Sequence, residues 1–331
     1  MKITYYQRRP LDIHYSLEQI FDNVRAKLPE GIESNVWVSP YFSKGLRPRI
    51  RMIFAARKFQ GDINHITGDI NFIAIGLKKQ KTILTIHDLG ILNNTKNPLL
   101  RWILKTFWIT LPVKYANAIT VVSDTTKTEL LSMIKINADK VKVIGNFIPD
   151  SFKYNPKKFN SEKPRILHIG SAYNKNLDRL IEAVKNIKCH LVIIGFPTLE
   201  QKESILSYNI SHEILSGISD EELLNQYQKC DLLSFVSLLE GFGLPILEAQ
   251  ATGRPVLTSN LSSMPEVAGK GACLVDPYDI RSIESGIKNI INNEHYRQLI
   301  IERGLINIKR FSLGEVTNQY INLYYEIYSK I

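Results

Sequence analysis

Short apolar runs rich in β-branched residues alternate with longer amphipathic stretches along most of the chain. The runs that predict strands are MKITYY, NVWVSP, TILTIH, AITVVS, PRILHIGS, CHLVIIG, CDLLSFVS, RPVLTS and ACLVD. The stretches that predict helices include SLEQIFDNVRAKL, NLDRLIEAVKNI, DEELLNQYQK, LPILEAQAT and DIRSIESGIKNIINN. Continuous apolar strands that alternate with helices form parallel sheets covered on both faces. The pattern therefore predicts an α/β fold.

One polar stretch interrupts this alternation and predicts a domain boundary. DSFKYNPKKFNSEKPR, from Asp150 to Arg165, is rich in lysine, contains two prolines and lacks apolar periodicity. A chain of 331 residues also exceeds one ordinary core. We expect an N-terminal Rossmann-like domain over residues 1–152, a linker over 153–165 and a C-terminal Rossmann-like domain over 166–312. Residues 313–331 predict a helix, whose aromatic residues need a partner surface; we expect it to pack back onto the first domain.

The net positive charge of the chain is concentrated in its first half. Residues 1–150 carry 22 Lys and Arg against 12 Asp and Glu, whereas the remainder carries 20 of each. Such an excess suits a surface that faces phospholipid, nucleic acid or a phosphorylated acceptor, or else a basic face that is simply solvated. NPLLRWILKTFWITLPVKY, from Asn97 to Tyr115, is either an interfacial membrane patch or a core helix with a basic outer face.

The cysteines and the hydropathy of the sequence indicate the cellular compartment of the protein. Cys189, Cys230 and Cys273 have no metal-ligand spacing and suit a reducing compartment. The first residues lack the apolar run of a signal peptide, and no apolar run is long enough to span a bilayer. We expect a cytoplasmic protein, with peripheral attachment to the inner face of the plasma membrane as a possibility that the basic half raises.

A glycine-rich turn follows the predicted strand CDLLSFVS, in the stretch LLEGFGLPILEAQATGRPV. In open α/β sheets, ligands bind beyond the carboxyl ends of the strands. Pro245 suits the first position of a helix, and Gly253 suits the residue just past its end. Gly241 and Gly243 let the backbone approach a ligand closely. A helix N-terminus behind such a turn is suited to a diphosphate.

Glu240 and Glu248 flank this turn, although carboxylates repel phosphate. An ionised carboxylate accepts hydrogen bonds from paired hydroxyls. A nucleotide sugar carries such hydroxyls on its ribose and on its transferred sugar, with the diphosphate between them. The two acids therefore predict a nucleotide-sugar site. The alternatives are a glycosidase pair of carboxylates and a helix start without a ligand.

The stretch ISDEELLNQYQKCDLLSFVSLLEGFGLPILEAQATGRPVLTSNLSSMPEVAGKGACLVDPYD resembles the donor domain of retaining glycosyltransferases of family 4, also called group 1. It contains their Glu-x7-Glu motif within EGFGLPILEA, followed by GRPV and by PEVAG. HIGSAYNKNLDRLIEA, TIHDL and ITVVSDTTKTELL are similar to further segments of that family. The resemblance implies a GT-B architecture, in which two Rossmann-like domains with parallel sheets face each other across a cleft.

The resemblance also implies roles for individual residues. Glu240 would orient the transferred sugar, Lys175 would neutralise the departing diphosphate, and His87 would face the sugar from the first domain. Glu248 would hold the ribose, and the stretch from Ser216 to Ile218 would lie near the base. The full set of implied donor-binding residues is Gly170, Ser171, Lys175, Ser216, Gly217, Ile218, Gly241, Phe242, Gly243, Leu244 and Glu248.

The chain departs from the family pattern at two places. Many members carry an arginine after the glycine of the first donor-domain loop, but Ser171 follows Gly170 here, so the diphosphate would depend more on Lys175. Many also open with a glycine-rich loop, which YYQRRPLDIHYS replaces. Arg8 and Arg9 in that segment either meet an acceptor phosphate or are solvated. His65, in NHITGD, is a further candidate for facing the acceptor.

Together with the motifs, the resemblance implies a retaining hexosyltransferase that moves a sugar from a UDP- or GDP-linked donor to a glycan or lipid-linked oligosaccharide acceptor in O-antigen or capsule synthesis. No cofactor or metal is expected, and the sequence has no Asp-x-Asp cluster. The alternatives are a sugar-nucleotide epimerase or hydrolase on the same fold, and a non-catalytic nucleotide or glycan binder. Nucleic-acid binding is disfavoured, because aromatic-basic strand motifs and a recognition helix are missing.

Overall fold

The computed structural model describes residues 1–9, 16–93, 95 and 97–331. These residues form two compact units. The first unit comprises Met1–Phe147 and Leu313–Ile331, and the second comprises Ile148–Ser312. Residues 10–15 of the segment YYQRRPLDIHYS lie outside the described residues.

The first unit is built on a parallel six-stranded sheet with the order β2-β1-β3-β4-β5-β6. Its strands are β1 (Lys2–Gln7), β2 (Glu33–Val38), β3 (Ile63–Ile66), β4 (Thr82–Ile86), β5 (Ala118–Val121) and β6 (Val141–Val143). Its helices are α1 (Ser16–Ala26), α2 (Leu46–Ala56), α3 (Gly90–Asn93), α4 (Pro98–Leu104), α5 (Leu111–Lys114), α6 (Asp124–Met133) and, from the end of the chain, α14 (Leu313–Tyr328). A π-helical segment, Lys105–Thr110, connects α4 to α5.

Alternate residues of the central strands bury opposite faces of this sheet. On β4, Leu84 packs into the core beside α2 and α5, whereas Ile83 packs into the core beside α1 and α14. On β1, Tyr6 packs on the same side as Leu84, and Tyr5 packs on the same side as Ile83. Because successive side chains of a strand point to opposite faces, an apolar run of this kind is buried only when both faces are covered.

The second unit repeats the architecture with a parallel sheet of order β12-β11-β10-β7-β8-β9. Its strands are β7 (Arg165–Ile169), β8 (His190–Ile194), β9 (Ser211–Leu215), β10 (Leu232–Phe235), β11 (Val256–Ser259) and β12 (Cys273–Val275). Its helices are α7 (Leu177–Val184), α8 (Leu199–Ser207), α9 (Asp220–Lys229), α10 (Leu244–Ala251), α11 (Met264–Ala268), α12 (Ile280–Asn292) and α13 (Glu294–Asn307).

The predicted α/β class with parallel sheets is confirmed. The sequence prediction missed β3, β6 and β9, which are short or have a polar sequence. β3 reads INHI and β6 reads VKV, while every residue of β9 is only partly buried. These strands lack the long apolar run by which the others were identified, and their neighbours in the sheet determine their conformation.

Candidate active site

Two loops at the carboxyl edge of the second sheet are bound to each other. They follow the adjacent strands β7 and β10. The Leu238 amide donates to the Asn174 carbonyl at 2.7 Å, and the Asn174 side chain donates to the Leu239 carbonyl at 3.1 Å. Asn176 Nδ2 donates to the Val236 carbonyl at 3.0 Å. These bonds bring the Lys-Asn loop and the glycine-rich turn together into one structure.

An ion pair between Lys175 and Glu240 lies where these loops meet. Lys175 Nζ is 2.6 Å from Glu240 Oε1, and both side chains are partly buried. The Lys175 ammonium also lies 5.1 Å from the centroid of the Phe235 ring. Gly170 has φ +91°, and a Cβ at that position would lie 2.7 Å from Lys175 Cγ. A glycine at position 170 therefore leaves room for the lysine side chain to cross the loop and reach Glu240.

The glycine-rich turn delivers the chain into α10. Gly243 precedes the helix with φ 114°, and Pro245 occupies its first turn. Ser263 Oγ donates to the Phe242 carbonyl at 2.7 Å, and Ser262 Oγ donates to the Glu240 carbonyl at 2.8 Å. The serines hold the carbonyl oxygens of the turn; within the first turn of α10, Pro245 has no amide hydrogen and the Ile246 amide donates to the Gly243 carbonyl at 3.1 Å. The turn thus places a helix N-terminus beside the Lys175–Glu240 pair.

Glu248, in the second turn of α10, has a tyrosine partner. Tyr227 Oη donates to Glu248 Oε2 at 2.6 Å. Burial raises the pKa of the Glu248 carboxyl to about 7, and the hydrogen bond from Tyr227 opposes that rise. The carboxylate is consequently an acceptor whose charge changes near neutral pH. Tyr227 was not singled out from the sequence, because it reads there as one more apolar position of α9.

The remaining predicted donor-binding residues lie at the same edge of the sheet. Ser171 Oγ, in the loop after β7, accepts from the Phe196 amide at 2.9 Å. Gly217 has φ +64° in the loop after β9, and Ser216 beside it is exposed. Because the strands are parallel, the loops that follow β7, β9 and β10 share one edge. The structure thus groups these residues, while their roles in donor binding stay a prediction.

His87 follows β4 in the first unit and lines a recess of about 150 Å³ together with Asp69, Asn71 and Asp88. His87 Nε2 is 3.0 Å from the Thr67 carbonyl. A carbonyl only accepts, so Nε2 carries a proton and donates it to Thr67. Within the part of the chain that the structure describes, the buried Nδ1 has no hydrogen-bond partner. The protein thus orients the imidazole through Nε2 and leaves Nδ1 unengaged.

His65 does not fit the predicted contact with an acceptor. It is fully buried within β3, and both of its ring nitrogens are engaged. Nδ1 lies 2.8 Å from Tyr324 Oη, and Nε2 lies 2.8 Å from Thr85 Oγ1. Burial, and secondarily the nearby His87, lower the pKa of His65 to about 3, so the ring is neutral. The prediction for His65 was wrong, because α14 covers the residue.

Arg8 and Arg9 have different surroundings. Arg8 Nε is 2.9 Å from Glu18 Oε1, and its Nη1 is 3.1 Å from Asp69 Oδ2. The Arg9 guanidinium lies 4.5 Å from the centroid of the Phe42 ring and is exposed. Arg8 thus already has two carboxylate partners in its own unit, whereas Arg9 is accessible to an anion. A contact of either residue with an acceptor phosphate stays a prediction.

No group of three or more His, Cys, Asp or Glu side chains within residues 1–9, 16–93, 95 and 97–331 is arranged to hold a metal ion.

Comparison with known proteins identifies relatives of both units. Residues 10–152 match the model of Glycosyltransferase Family 4, and residues 151–305 match that of Glycosyl transferases group 1. The chain is 27% identical to O-antigen chain mannosyltransferase B of Escherichia coli over 307 residues, which cover 84% of this chain and 78% of that protein. It is 28% identical to the serotype-specific mannosyltransferase WbdA of E. coli over 70% of this chain but only 32% of that longer protein.

Solved structures share the fold at low sequence identity. Sucrose-phosphate synthase from Thermosynechococcus elongatus superposes with a TM-score of 0.80 at 14% identity and covers all of both chains. HepE from Anabaena, solved with UDP and glucose, superposes with a TM-score of 0.77 at 16% identity, over 98% of this chain and 100% of that chain. The two family models together account for nearly the whole sequence, and the two parallel sheets match these structures. The chain therefore belongs to the group 1 glycosyltransferases of family 4 and has their GT-B fold.

Proposed function

We propose that this glycosyltransferase moves a hexose from a nucleoside diphosphate donor to a glycan acceptor in the synthesis of a surface polysaccharide. The second unit binds the donor, and the first unit binds the acceptor. Relatives named as O-antigen mannosyltransferases support this assignment and make mannose the first sugar to test. We propose a lipid-linked oligosaccharide as the acceptor.

The observation that carries the proposal is the Lys175–Glu240 pair at the amino end of α10. Glu240 can lie beside a diphosphate because Lys175 neutralises it at 2.6 Å. An ammonium has three N–H donors, so one can stay on Glu240 while the others reach phosphate oxygens. Glu240 keeps a second carboxylate oxygen for a hydroxyl of the transferred sugar. The group that would bind phosphate, the Lys175 ammonium, and the group that would bind the sugar, the Glu240 carboxylate, thus lie within a few ångströms of each other.

The same arrangement suits the chemistry of transfer. The bond between the anomeric carbon and the diphosphate oxygen breaks, and the negative charge that develops on the diphosphate is stabilised by Lys175 and by the positive dipole at the amino end of α10. The acceptor hydroxyl attacks the same face of the sugar, and its proton passes to the departing phosphate oxygen. The products are a glycoside of retained configuration and a nucleoside diphosphate. Because fixed positive groups of the protein stabilise the leaving group, we propose that transfer proceeds without a metal ion.

The donor's ribose would bind Glu248. Its carboxylate holds one hydrogen bond from Tyr227 and retains acceptor sites for the two ribose hydroxyls. Ser216 and Gly217, in the exposed loop after β9, would lie near the base. The donor would thereby extend along the edge of the second sheet, from the base to the transferred sugar.

The test is a transfer assay with UDP- and GDP-linked hexoses, mannose among them, and lipid-linked acceptors, in EDTA. We expect a glycoside whose anomeric proton coupling in NMR matches that of the donor. Lys175→Met and Glu240→Gln should each lower kcat/KM by about 10²–10³, the loss typical of one charge-stabilising group. Their double variant should lose less than the product of the two factors, because the residues act as a pair.

The matched controls are Lys188→Met and Glu162→Gln. Both residues are exposed and precede strands β8 and β7, so they lie at the opposite edge of the sheet. They should leave kcat/KM unchanged. Donor consumption without any glycoside product would instead identify a hydrolase or epimerase, and an inverted product would contradict same-face attack.

A further inference from the structure

The outer side of α2 in the first unit is apolar. Leu46, Ile50 and Phe54 recur at intervals of four residues, and residues at this spacing share one face of a helix. Leu46 is 73% exposed and Phe54 is 63% exposed. The opposite side of α2 is buried, where Met52 and Ala56 join the core of the unit. The exposed residues are therefore not required for the packing of α2.

A second exposed apolar surface lies on α4 and the π-helical segment that follows it. Leu99, Ile103 and Phe107 repeat the spacing of four residues, and Trp102 beside them is 61% exposed. The buried side of this segment includes Trp108, which packs into the same core as α2. We call seven exposed apolar residues on these two elements the apolar face; they are Leu46, Ile50, Phe54, Leu99, Trp102, Ile103 and Phe107.

Arg49 shows that the two helices are neighbours. Its guanidinium lies 5.0 Å from the centroid of the Trp108 ring and 5.9 Å from that of Phe72. Asn71, next to Phe72, donates to the Trp108 carbonyl at 3.2 Å. Both helices therefore pack on the segment that contains residues 71 and 72. Their exposed stripes lie on the solvent sides of two adjoining elements.

The surroundings of the apolar face are basic. The sequence has no Asp or Glu in residues 34–61 or in residues 89–123, which include both helices. The exposed basic side chains on these helices and just after α2 are Arg47, Arg51, Arg57, Lys58 and Arg101. The π-helical segment and α5 also border a recess of about 250 Å³, which is lined by Lys105, Lys114, Lys135 and uncharged residues.

We propose that the apolar face binds an anionic phospholipid bilayer. Large exposed apolar side chains rimmed by basic ones fit the boundary between acyl chains and negative headgroups, and each basic group near such a surface contributes about 1 kcal/mol. A second copy of the chain fits poorly, because its own basic rim would face this one. None of the helices in the described part of the chain is long and apolar enough to span a bilayer.

The first experiment is vesicle flotation of the full chain, without donor or acceptor. We expect binding to vesicles of phosphatidylcholine with about one-third phosphatidylglycerol, and little binding to phosphatidylcholine alone. The double variant Arg47→Ser/Arg51→Ser should weaken binding by about twenty-five-fold, at about fivefold per charge. Leu46→Ser/Phe54→Ser should abolish the residual binding that survives at high salt. Leu206→Ser/Ile306→Ser replaces exposed apolar residues of the second unit and should change nothing.

Trp102 provides an independent readout of insertion. The chain has 3 tryptophans, and Trp37 and Trp108 are only 7% and 9% exposed. A blue shift of the emission on adding anionic vesicles should therefore come from Trp102, and it should vanish in Trp102→Phe.

Three results would overturn the proposal. They are absence of binding to anionic vesicles, equal binding to neutral ones, and binding unaffected by both double variants. A concentration-dependent dimer in light scattering that Leu46→Ser/Phe54→Ser dissolves would assign the face to a second copy instead. Since no sugar is present in these assays, either outcome leaves the proposed glycosyl transfer untouched.

Discussion

Each of the two carboxylates in the candidate site has a side-chain partner that donates a hydrogen bond to it. Lys175 neutralises Glu240, and Tyr227 donates to Glu248. Each carboxylate is thus positioned by a donor from another loop or helix before any ligand arrives. Such preorganisation lowers the cost of orienting groups when the donor binds. It also explains how two acids can stand beside a turn that is suited to phosphate.

The raised pKa of Glu248 predicts that donor affinity depends on pH. In the proposed site, ribose hydroxyls would donate to the ionised carboxylate of Glu248, whose pKa is about 7 in the free protein. Binding should therefore release a proton, and affinity should rise as pH increases from about 6 to 8 and then level off. Calorimetric titration with the donor nucleotide in buffers of different ionisation enthalpy would measure that proton. In Glu248→Gln, which has no charge to lose, the pH dependence should disappear.

Tyr227 should act through Glu248 as a positioning residue. Its hydrogen bond opposes the rise of the Glu248 pKa, so Tyr227→Phe should shift the pH profile of donor binding to higher pH. We expect KM for the donor to increase at pH 7 with kcat little changed, and to recover at pH 8.5. Tyr208→Phe, at the residue that follows α8 in the same unit, is the control. An unshifted profile in Tyr227→Phe would show that the tyrosine merely fills space.

The sequence was informative about the motif residues and uninformative about their partners. Glu240, Gly243 and Glu248 stand in one contiguous stretch whose turn and helix signals are local, so their arrangement was predictable. Tyr227 reaches Glu248 across 21 positions, and His65 is covered by a helix residue 259 positions away. Such contacts depend on tertiary packing. The polar residues of NHITGD therefore suggested that His65 is accessible, whereas the fold buries it.

At the scale of elements, α14 is held on the first sheet by a buried polar chain. Tyr324 Oη lies 3.0 Å from Tyr5 Oη and 2.8 Å from His65 Nδ1. Tyr324→Phe would leave both groups without this partner in a buried site, which costs about 1–3 kcal/mol of unfolding free energy. Urea unfolding followed by tryptophan fluorescence would measure it, since all 3 tryptophans precede residue 109 and report on the first unit.

Tyr325→Phe is the matched control for this prediction. Tyr325 is the next residue of α14 and is 48% exposed, so its substitution should change the unfolding free energy by less than about 0.5 kcal/mol. Equal effects of the two variants would contradict the buried chain as the anchor of α14. The aromatic spacing of this helix indicated that it needs a partner surface, whereas the hydrogen bonds of Tyr324 depend on β1 and β3.

At the scale of the whole molecule, charge and chemistry are divided between the two units. The basic excess lies in residues 1–150, which carry the apolar face, while the Lys175–Glu240 pair lies in a unit of balanced charge. Vesicle binding should therefore weaken steeply as salt is raised from 50 to 300 mM, whereas nucleotide affinity should change far less. Parallel flotation and calorimetric series in the same buffers would measure both. Equal salt dependence of the two would contradict this division.

The most direct test of the donor site is calorimetric titration of the chain with UDP and with GDP in EDTA. We expect one of the two nucleotides to bind, and Lys175→Met to weaken that binding by about tenfold to a hundredfold, as the loss of a charge-assisted hydrogen bond predicts. Lys188→Met should bind like the unaltered chain. If neither nucleotide binds, or if Lys175→Met binds equally well, the turn before α10 and its lysine do not form the diphosphate site.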